Sequence, residues 1–185
     1  GDTKMSDGPF VLSITLLGEP GPFGPILRSG AAVGDWLLVT GTLGGSIQGK
    51  HFDFTPRVRE ALLLQDLCRP HAMIDLSDGL AGDVGHLAEG SGHGFVLFAD
   101  RIPISDAAHA LNDGRALDHA LSDGEDFELA FAVTPADGQR LLDTQPFANV
   151  RLTRIGLCVP EAGLYLERDG ARRPLLTTGF RHDFA

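Results

Sequence analysis

Short apolar runs with the periodicity of strands alternate irregularly with runs of helical periodicity along this chain of 185 residues. The strand-like runs are residues 36–40, 72–74, 95–98, 127–133, 150–159 and 164–167. Helical spacing marks residues 56–68, the segment from residue 80 onward, and residues 104–111, 115–121 and 134–142. A turn at Asp169-Gly170 predicts a closing hairpin. This order favours an α+β fold, with a mixed sheet covered by helices, over a doubly wound parallel sheet.

Glycine and proline cluster at residues 18–22, in the sequence Gly-Glu-Pro-Gly-Pro. Such a cluster ends regular structure, so it separates a strand-like run at residues 9–17 from the rest of the chain. We expect a new domain to begin near residue 25. We also expect the chain to be a piece of something longer, because it begins with Gly1 in place of an initiator Met and runs almost directly into the first strand-like run.

Charge and cysteine content exclude several classes of partner and site. Fifteen Lys and Arg against 25 Asp and Glu give a net charge of −10, so neither nucleic acid nor an anionic membrane is expected as a partner. The longest apolar stretch, residues 10–17, is far below the ~20 residues needed to cross a bilayer. Only Cys68 and Cys158 occur, without a Cys-x-x-Cys pair. This argues against zinc and disulfides and indicates a reducing cytoplasm.

Two carboxylates stand where a strand passes into a helix, in the sequence Asp-Leu-Ser-Asp-Gly at residues 75–79. Asp75 and Asp78 could converge on one hard cation, because Mg²⁺ takes one or two carboxylates together with waters and substrate phosphates. The alternative is that Ser77 or Asp78 is an N-cap and Asp75 a polar strand end. Both interpretations stay open on spacing alone.

A second acidic segment is Ser-Asp-Gly-Glu-Asp-Phe-Glu-Leu at residues 122–129. Runs of this kind are often solvated turns. Alternation would place Phe127 and Leu129 on one face of a strand and Glu128 on the other, so Glu128 needs a partner if that face is covered.

A glycine-rich segment at residues 44–50, Gly-Gly-Ser-Ile-Gln-Gly-Lys, fits the spacing of a phosphate-binding loop. His51 occupies the position of the magnesium-binding Ser or Thr, and residues 52–56 do not have a helical pattern. We therefore do not expect a phosphate-binding loop here.

In combination, these segments resemble the C-terminal half of the thiamine-monophosphate kinases, relatives of aminoimidazole ribonucleotide synthetase and selenophosphate synthetase. The matching pieces are Gly-Asp-Thr at residues 1–3, Arg-Ser-Gly-Ala at 28–31, Gly-Asp-Trp at 34–36, Val-Thr-Gly-Thr-Leu-Gly at 39–44, Ile-Asp-Leu-Ser-Asp-Gly-Leu at 74–80, and residues 122–129. The resemblance implies that residues 1–24 are the last strand of a truncated N-terminal domain and a linker, and that residues 25–185 are the C-terminal domain.

The resemblance further implies Mg²⁺-dependent transfer of the γ-phosphoryl group of ATP to thiamine monophosphate, giving thiamine diphosphate. The implied metal ligands are Asp2, Asp75 and Asp78; the implied ATP contacts are Arg28 and Ser77; the implied substrate contacts are Phe127 and Phe180. An aromatic face suits the cationic thiazolium ring of that substrate. The full-length protein is expected to be a cytoplasmic homodimer.

The sequence departs from the family pattern in two respects. Asp123 stands where the family has a second glycine, and the C-terminal tail around Phe180 is one residue longer than the usual ending. The family's N-terminal domain, which supplies other acids and much of the nucleotide site, is absent from this sequence, so we expect the chain alone to be an incomplete enzyme. The alternatives are a sister synthetase of the superfamily, and a non-catalytic module that binds nucleotide or thiamine phosphates.

Overall fold

The computed structural model describes residues 13–176 of the chain. Within them, seven strands form a single sheet in the order β2-β4-β1-β5-β3-β6-β7. The strands are β1 (Trp36–Thr40), β2 (Ala72–Asp75), β3 (Gly94–Phe98), β4 (Leu129–Val133), β5 (Leu152–Val159), β6 (Gly163–Arg168) and β7 (Ala171–Pro174). Strands β3 and β6 pair in parallel, whereas all other neighbours in the sheet are antiparallel. The predicted mixed sheet and the closing β6–β7 hairpin are confirmed.

Five α-helices lie between these strands in residues 13–176. They are α1 (Val58–Leu67), α2 (Leu80–Ser91), α3 (Asp106–Ala110), α4 (Ala116–Ser122) and α5 (Pro135–Thr144). Two short 3-10 turns are added at Ser46–Gln48 and Ala99–Arg101. Helices interleaved with a mixed sheet make this an α+β fold, as the sequence predicts.

Helices cover both faces of the sheet, because central strands such as β1 present apolar side chains to each face. The side chains of β1 alternate, so Leu37 and Val39 lie in one apolar core with Leu80 and Leu87 of α2. The neighbouring residue Leu38 faces the opposite core. That second core includes buried leucines of α1 and α5. Each face of the sheet therefore has a core of its own.

The described part of the predicted first strand has no regular secondary structure. Residues 13–20 are irregular, and Ile14, Leu16 and Leu17 are 75%, 90% and 97% exposed. A strand needs the backbone of a neighbour for its hydrogen bonds, and none of the described residues supplies one here. Residues 9–12 lie outside the described range. No helix within residues 13–176 has the length and apolar composition required to span a bilayer.

Candidate active site

The turn at residues 75–79 joins the end of β2 to the start of α2. It passes through Gly79, whose φ of 100° lies in the left-handed region that favours glycine. A Cβ atom on Gly79 would lie 3.0 Å from the carbonyl oxygen of Leu121 and 3.0 Å from Cα of Ser122. The turn is therefore pressed against the end of α4, and its shape depends on glycine at this position.

Asp83, in the first helical turn of α2, stabilises the turn at residues 75–79 through its side chain. Its Oδ2 accepts hydrogen bonds from the backbone amides of Ser77 (2.9 Å) and Asp78 (3.0 Å). The side chain is almost fully buried, and burial raises the pKa of Asp83 to about 6 although the two amides act to lower it. Sequence reasoning missed this residue. The available signal was an acid in the first turn of a helix that comes after a polar turn.

Asp75 and Asp78 differ from Asp83 in being exposed. In residues 13–176, neither carboxylate takes part in an ion pair or a hydrogen bond with another side chain or amide. No group of three or more His, Cys, Asp or Glu side chains in that range could hold a metal by itself. Two uncommitted carboxylates nevertheless fit Mg²⁺, which completes its shell with waters and substrate phosphates.

The turn lines a cleft of about 440 Å³. Four of the residues predicted from the sequence line this cleft together, and they are Arg28, Asp75, Ser77 and Asp78. The remaining lining residues are Met73, Ile74, Asp83, His86 and Leu129. A second cleft of about 400 Å³ begins at Arg28 and His86 and runs along α2 to Gly90.

Arg28 reaches the cleft because its backbone is held between β2 and α2. The amide of Met73 donates to the carbonyl of Leu27 at 2.9 Å. On the other side, a Cβ atom on Gly90 of α2 would lie 3.0 Å from the carbonyl oxygen of Arg28. This close approach, which glycine permits, brings a residue far away in sequence next to the two aspartates.

The acidic segment at residues 122–128 lies directly beside the turn. The amide of Glu125 donates to the carbonyl of Ser77, and the amide of Phe127 donates to the carbonyl of Leu76, both at 2.8 Å. The amide of Leu76 in turn donates to the carbonyl of Glu128, also at 2.8 Å. Three backbone hydrogen bonds thus connect the two segments that the sequence singled out.

Phe127 does not lie in the strand as expected. Strand β4 begins at Leu129, and Phe127 has a φ of +51°, a left-handed conformation that interrupts strand alternation. The prediction that Phe127 and Leu129 share one strand face is therefore wrong. The ring of Phe127 stacks on Phe54 instead, with 4.0 Å between ring centroids and 24° between the planes. The backbone bond to the turn explains the deviation, because it ties Phe127 to Leu76.

Glu128 has the partners that its burial requires, as expected. It is 1% exposed and accepts hydrogen bonds from Thr40 Oγ1 (2.7 Å), Arg57 Nε (2.7 Å) and Lys50 Nζ (3.0 Å). Burial alone would raise the pKa of Glu128, but Arg57, Lys50 and Thr40 together hold it below its ordinary value. This carboxylate is committed to the fold and is not available as a ligand.

The glycine-rich segment binds carboxylates of the chain itself. The amide of Gly44 donates to both oxygens of Asp126 (3.0 and 3.1 Å), and the amide of Gly45 donates to Asp123 Oδ2 (2.8 Å). A 3-10 turn comes next in place of an α-helix, and Lys50 is paired with Glu128. These contacts agree with the expectation that the segment is not a phosphate-binding loop.

Two of the predicted site residues, Asp2 and Phe180, lie outside the described residues. Of the seven, the structure therefore brings Arg28, Asp75, Ser77 and Asp78 to one cleft, and it places Phe127 next to the turn that lines it.

No protein-family model matches the chain. Among curated proteins, it is 44% identical over 168 residues to thiamine-monophosphate kinase of Rhodopirellula baltica, covering 89% of this chain and 52% of that protein. It is 35% identical over 205 residues to thiamine-monophosphate kinase of Salmonella typhimurium, covering 98% of this chain and 62% of that protein. The chain thus spans between half and two thirds of the length of these relatives.

Solved structures share the fold of this chain. Thiamine-monophosphate kinase from Stenotrophomonas maltophilia is 30% identical with a TM-score of 0.68, over 79% of this chain and 54% of that one. AaThiL, solved in complex with AMPPCP and TMP, is 24% identical with a TM-score of 0.64, over 85% and 54%. HypE of Escherichia coli, a hydrogenase maturation protein, shares the fold at 20% identity and a TM-score of 0.69, over 85% and 53%. By these matches, the chain belongs to the family of the thiamine-monophosphate kinases, as a homologue of about half of such a protein.

Proposed function

We propose that this chain forms part of the active site of a Mg²⁺-dependent thiamine-phosphate kinase, which transfers the γ-phosphoryl group of ATP to thiamine monophosphate and yields thiamine diphosphate. The observation that carries the proposal is the meeting of Arg28, Ser77 and two uncommitted carboxylates, Asp75 and Asp78, in one cleft. The names of the curated relatives support the same reaction.

Phosphoryl transfer demands little covalent chemistry from a protein, so the site has to position the phosphates and neutralise their charge. In this proposal Asp75 and Asp78 hold Mg²⁺, with Asp2 as the third predicted ligand. The bound cation supplies charge stabilisation for the phosphoryl oxygens. The guanidinium of Arg28 offers a fork of donors to a phosphate, and Ser77 contacts ATP.

The turn suits this role because its backbone is held in place before any ligand arrives. Asp83 binds the amides of Ser77 and Asp78, while the carbonyl of Ser77 accepts the amide of Glu125. Both ligating side chains therefore project from a constrained backbone. Such a site loses little conformational entropy when it binds its ligand, which favours affinity.

Phe127 and Phe180 are proposed to bind the thiamine moiety. The positive charge of a thiazolium ring is attracted to the face of an aromatic ring. Phe127 already stacks on Phe54, so the substrate would approach an aromatic pair. A relative solved with AMPPCP and TMP supports ATP and thiamine monophosphate as the two substrates. A homodimer in the cytoplasm remains our expectation for the full-length protein.

The test is replacement of each aspartate in a protein of the relatives' full length that carries this sequence. Asp75→Asn and Asp78→Asn keep the side-chain size but remove the charge, and each should lower ATP-dependent formation of thiamine diphosphate by about a hundredfold or more. Asp66→Asn is the matched control, because Asp66 is an exposed acid of α1 outside the cleft lining. Unaltered turnover in either cleft variant would refute the metal assignment.

A further inference from the structure

His119 of α4 lies between two carboxylates. Its Nδ1 is 2.8 Å from Asp123 Oδ1, and its Nε2 is 2.9 Å from Asp113 Oδ2. A neutral imidazole carries one N–H and can donate to one carboxylate only, whereas an imidazolium donates to both. The contacts on both nitrogens are therefore satisfied by a positively charged ring between two negatively charged partners.

Asp123 extends this cluster to the glycine-rich segment. Its second oxygen, Oδ2, accepts the amide of Gly45 at 2.8 Å. The adjacent residue Ser46 donates its hydroxyl to the carbonyl of Gly124 at 2.7 Å. The beginning of the acidic segment is thus tied to a loop almost eighty positions away in sequence, and the charge of Asp123 is shared by His119 and an amide.

The same segment leads directly to the candidate active site. Two residues after Asp123, the amide of Glu125 donates to the carbonyl of Ser77 at 2.8 Å. Phe127 comes next with its bond to Leu76. Glu125 and Phe127 have φ values of +54° and +51°, conformations that non-glycine residues adopt only when their surroundings impose them. The anchors on either side of this segment supply that constraint.

We propose that the cluster Asp113–His119–Asp123 is a positioning device for residues 123–127, and that it sets the placement of Phe127 and of the Ser77 turn. The identity of the ligand affected, thiamine monophosphate, rests on the proposed kinase function; the positioning itself does not. Among residues 13–176, the ring of His119 bonds Asp113 and Asp123 and does not line the cleft that contains Asp75 and Asp78, so His119 is a positioning residue.

Charge explains why the cluster responds to pH. The hydrogen bond to Asp123 and then that to Asp113 raise the pKa of His119 above its ordinary value, and the same contact with His119 lowers the pKa of Asp113. The stabilisation by the imidazolium is therefore fully present below the ordinary pKa of histidine, and it is lost as the pH rises through the raised pKa. Once neutral, His119 can no longer donate to both aspartates.

Further charged groups lie on α4 and on the elements packed against it. Arg115 precedes α4 and pairs with Asp118 of that helix at 3.3 Å. Helix α3 carries Asp106 and His109, and α2 carries Asp83, whose carboxylate binds the Ser77 turn. In the acidic segment, Asp126 lies 3.9 Å from Lys50. Asp123 acts on Asp126 as a like charge. Loss of the positive charge on His119 therefore leaves the repulsion between Asp123 and Asp126 less compensated. We expect this to loosen residues 123–126.

The experiment is an NMR titration of this chain, wild type against His119→Gln. In the wild type, the ring protons of His119 and the amides of Gly45, Glu125 and Phe127 should titrate with one common pKa above the ordinary histidine value of 6.5. In His119→Gln that transition should vanish from the three amides while the protein stays folded. His109→Gln is the matched control, because His109 is an exposed histidine of α3, and it should leave the transition in place.

Affinity gives the second readout. In a protein of the relatives' full length, His119→Gln should weaken binding of thiamine monophosphate by roughly fivefold to tenfold at pH 6.5. The effect should become smaller as the pH rises through the raised pKa of His119, because the wild-type ring then loses its charge. If the amide signals of Glu125 and Phe127 do not shift as His119 titrates, the proposal is overturned. If the amides respond but thiamine monophosphate does not bind even the wild type, the positioning device stands and the proposed substrate falls.

Discussion

Asp83 is a buried carboxylate whose hydrogen bonds stabilise the turn at residues 75–79, whereas the burial of its negative charge lowers the stability of the folded state. Because its pKa lies near 6, above the ordinary value of 3.8, the folded state binds the proton more tightly than the unfolded state does. Stability should therefore fall as the pH rises from about 4 to about 6, by about 2–3 kcal/mol for this group. The penalty is one of desolvation, and the two amides offset only part of it.

Two variants of Asp83 separate its charge from its hydrogen bonds. The backbone amides of Ser77 and Asp78 both donate to one oxygen of Asp83, Oδ2. In Asp83→Asn the side-chain carbonyl oxygen can accept the same two hydrogen bonds without carrying a charge. We expect Asp83→Asn to be at least as stable as the wild type at pH 7.5, whereas Asp83→Ala should lose about 2–4 kcal/mol. The measurement is urea unfolding at pH 4.5 and 7.5. Equal destabilisation by both variants at both pH values would contradict this account.

At single residues, the sequence identified side chains more readily than their geometry. Asp75, Ser77 and Asp78 could be selected because a polar cluster at a strand end is visible in the pattern. Asp83 escaped notice, because its partners are backbone amides and nothing in the pattern reveals which carboxylate turns inward. The left-handed backbone of Phe127 was equally hidden, since it results from a bond to Leu76, a tertiary contact.

At the scale of elements, helix α5 shows how local sequence determines where a helix starts. Thr134 precedes Pro135, and its hydroxyl accepts the amide of Asp137 at 3.1 Å, so a free amide of the first turn is satisfied. Thr134→Ala should destabilise the protein by about 1 kcal/mol. Thr144→Ala is the control, because Thr144 is exposed at the other end of α5 and, among the described residues, its hydroxyl bonds the carbonyl of Arg140 and no amide of a first turn. Calorimetric melting of both variants tests this, and equal effects would argue against capping.

Elements whose formation is signalled by their own residues were predictable from the sequence. Elements whose formation depends on contacts with distant residues were not. Helices α1 and α5 carry proline at or near their first turn, and the apolar run of β1 is buried, so each was found close to its true bounds. The run at residues 13–17 has strand composition but no neighbouring strand in the described chain. The 3-10 turn at Ser46–Gln48 is likewise imposed by carboxylates that approach the preceding glycines.

At the scale of the whole molecule, the fold brings together segments that are distant in sequence. The mixed character of the sheet was predictable from the order of the elements, but the strand order was not, because pairing β3 in parallel with β6 is a long-range choice. The cleft depends on that long-range arrangement. It joins Arg28 from the segment before β1 with the turn after β2, and β2 reaches β1 only through β4.

The central claim is that the turn at residues 75–79 binds nucleotide through Mg²⁺. Isothermal titration with AMPPCP and Mg²⁺ tests it most directly, in a protein of the relatives' full length that carries this sequence. We predict that Asp78→Asn weakens binding by about tenfold or more and that removal of Mg²⁺ by EDTA weakens the wild type to a similar degree, while Asp66→Asn has no effect. Equal affinity of Asp78→Asn and wild type in the presence of Mg²⁺ would contradict the claim.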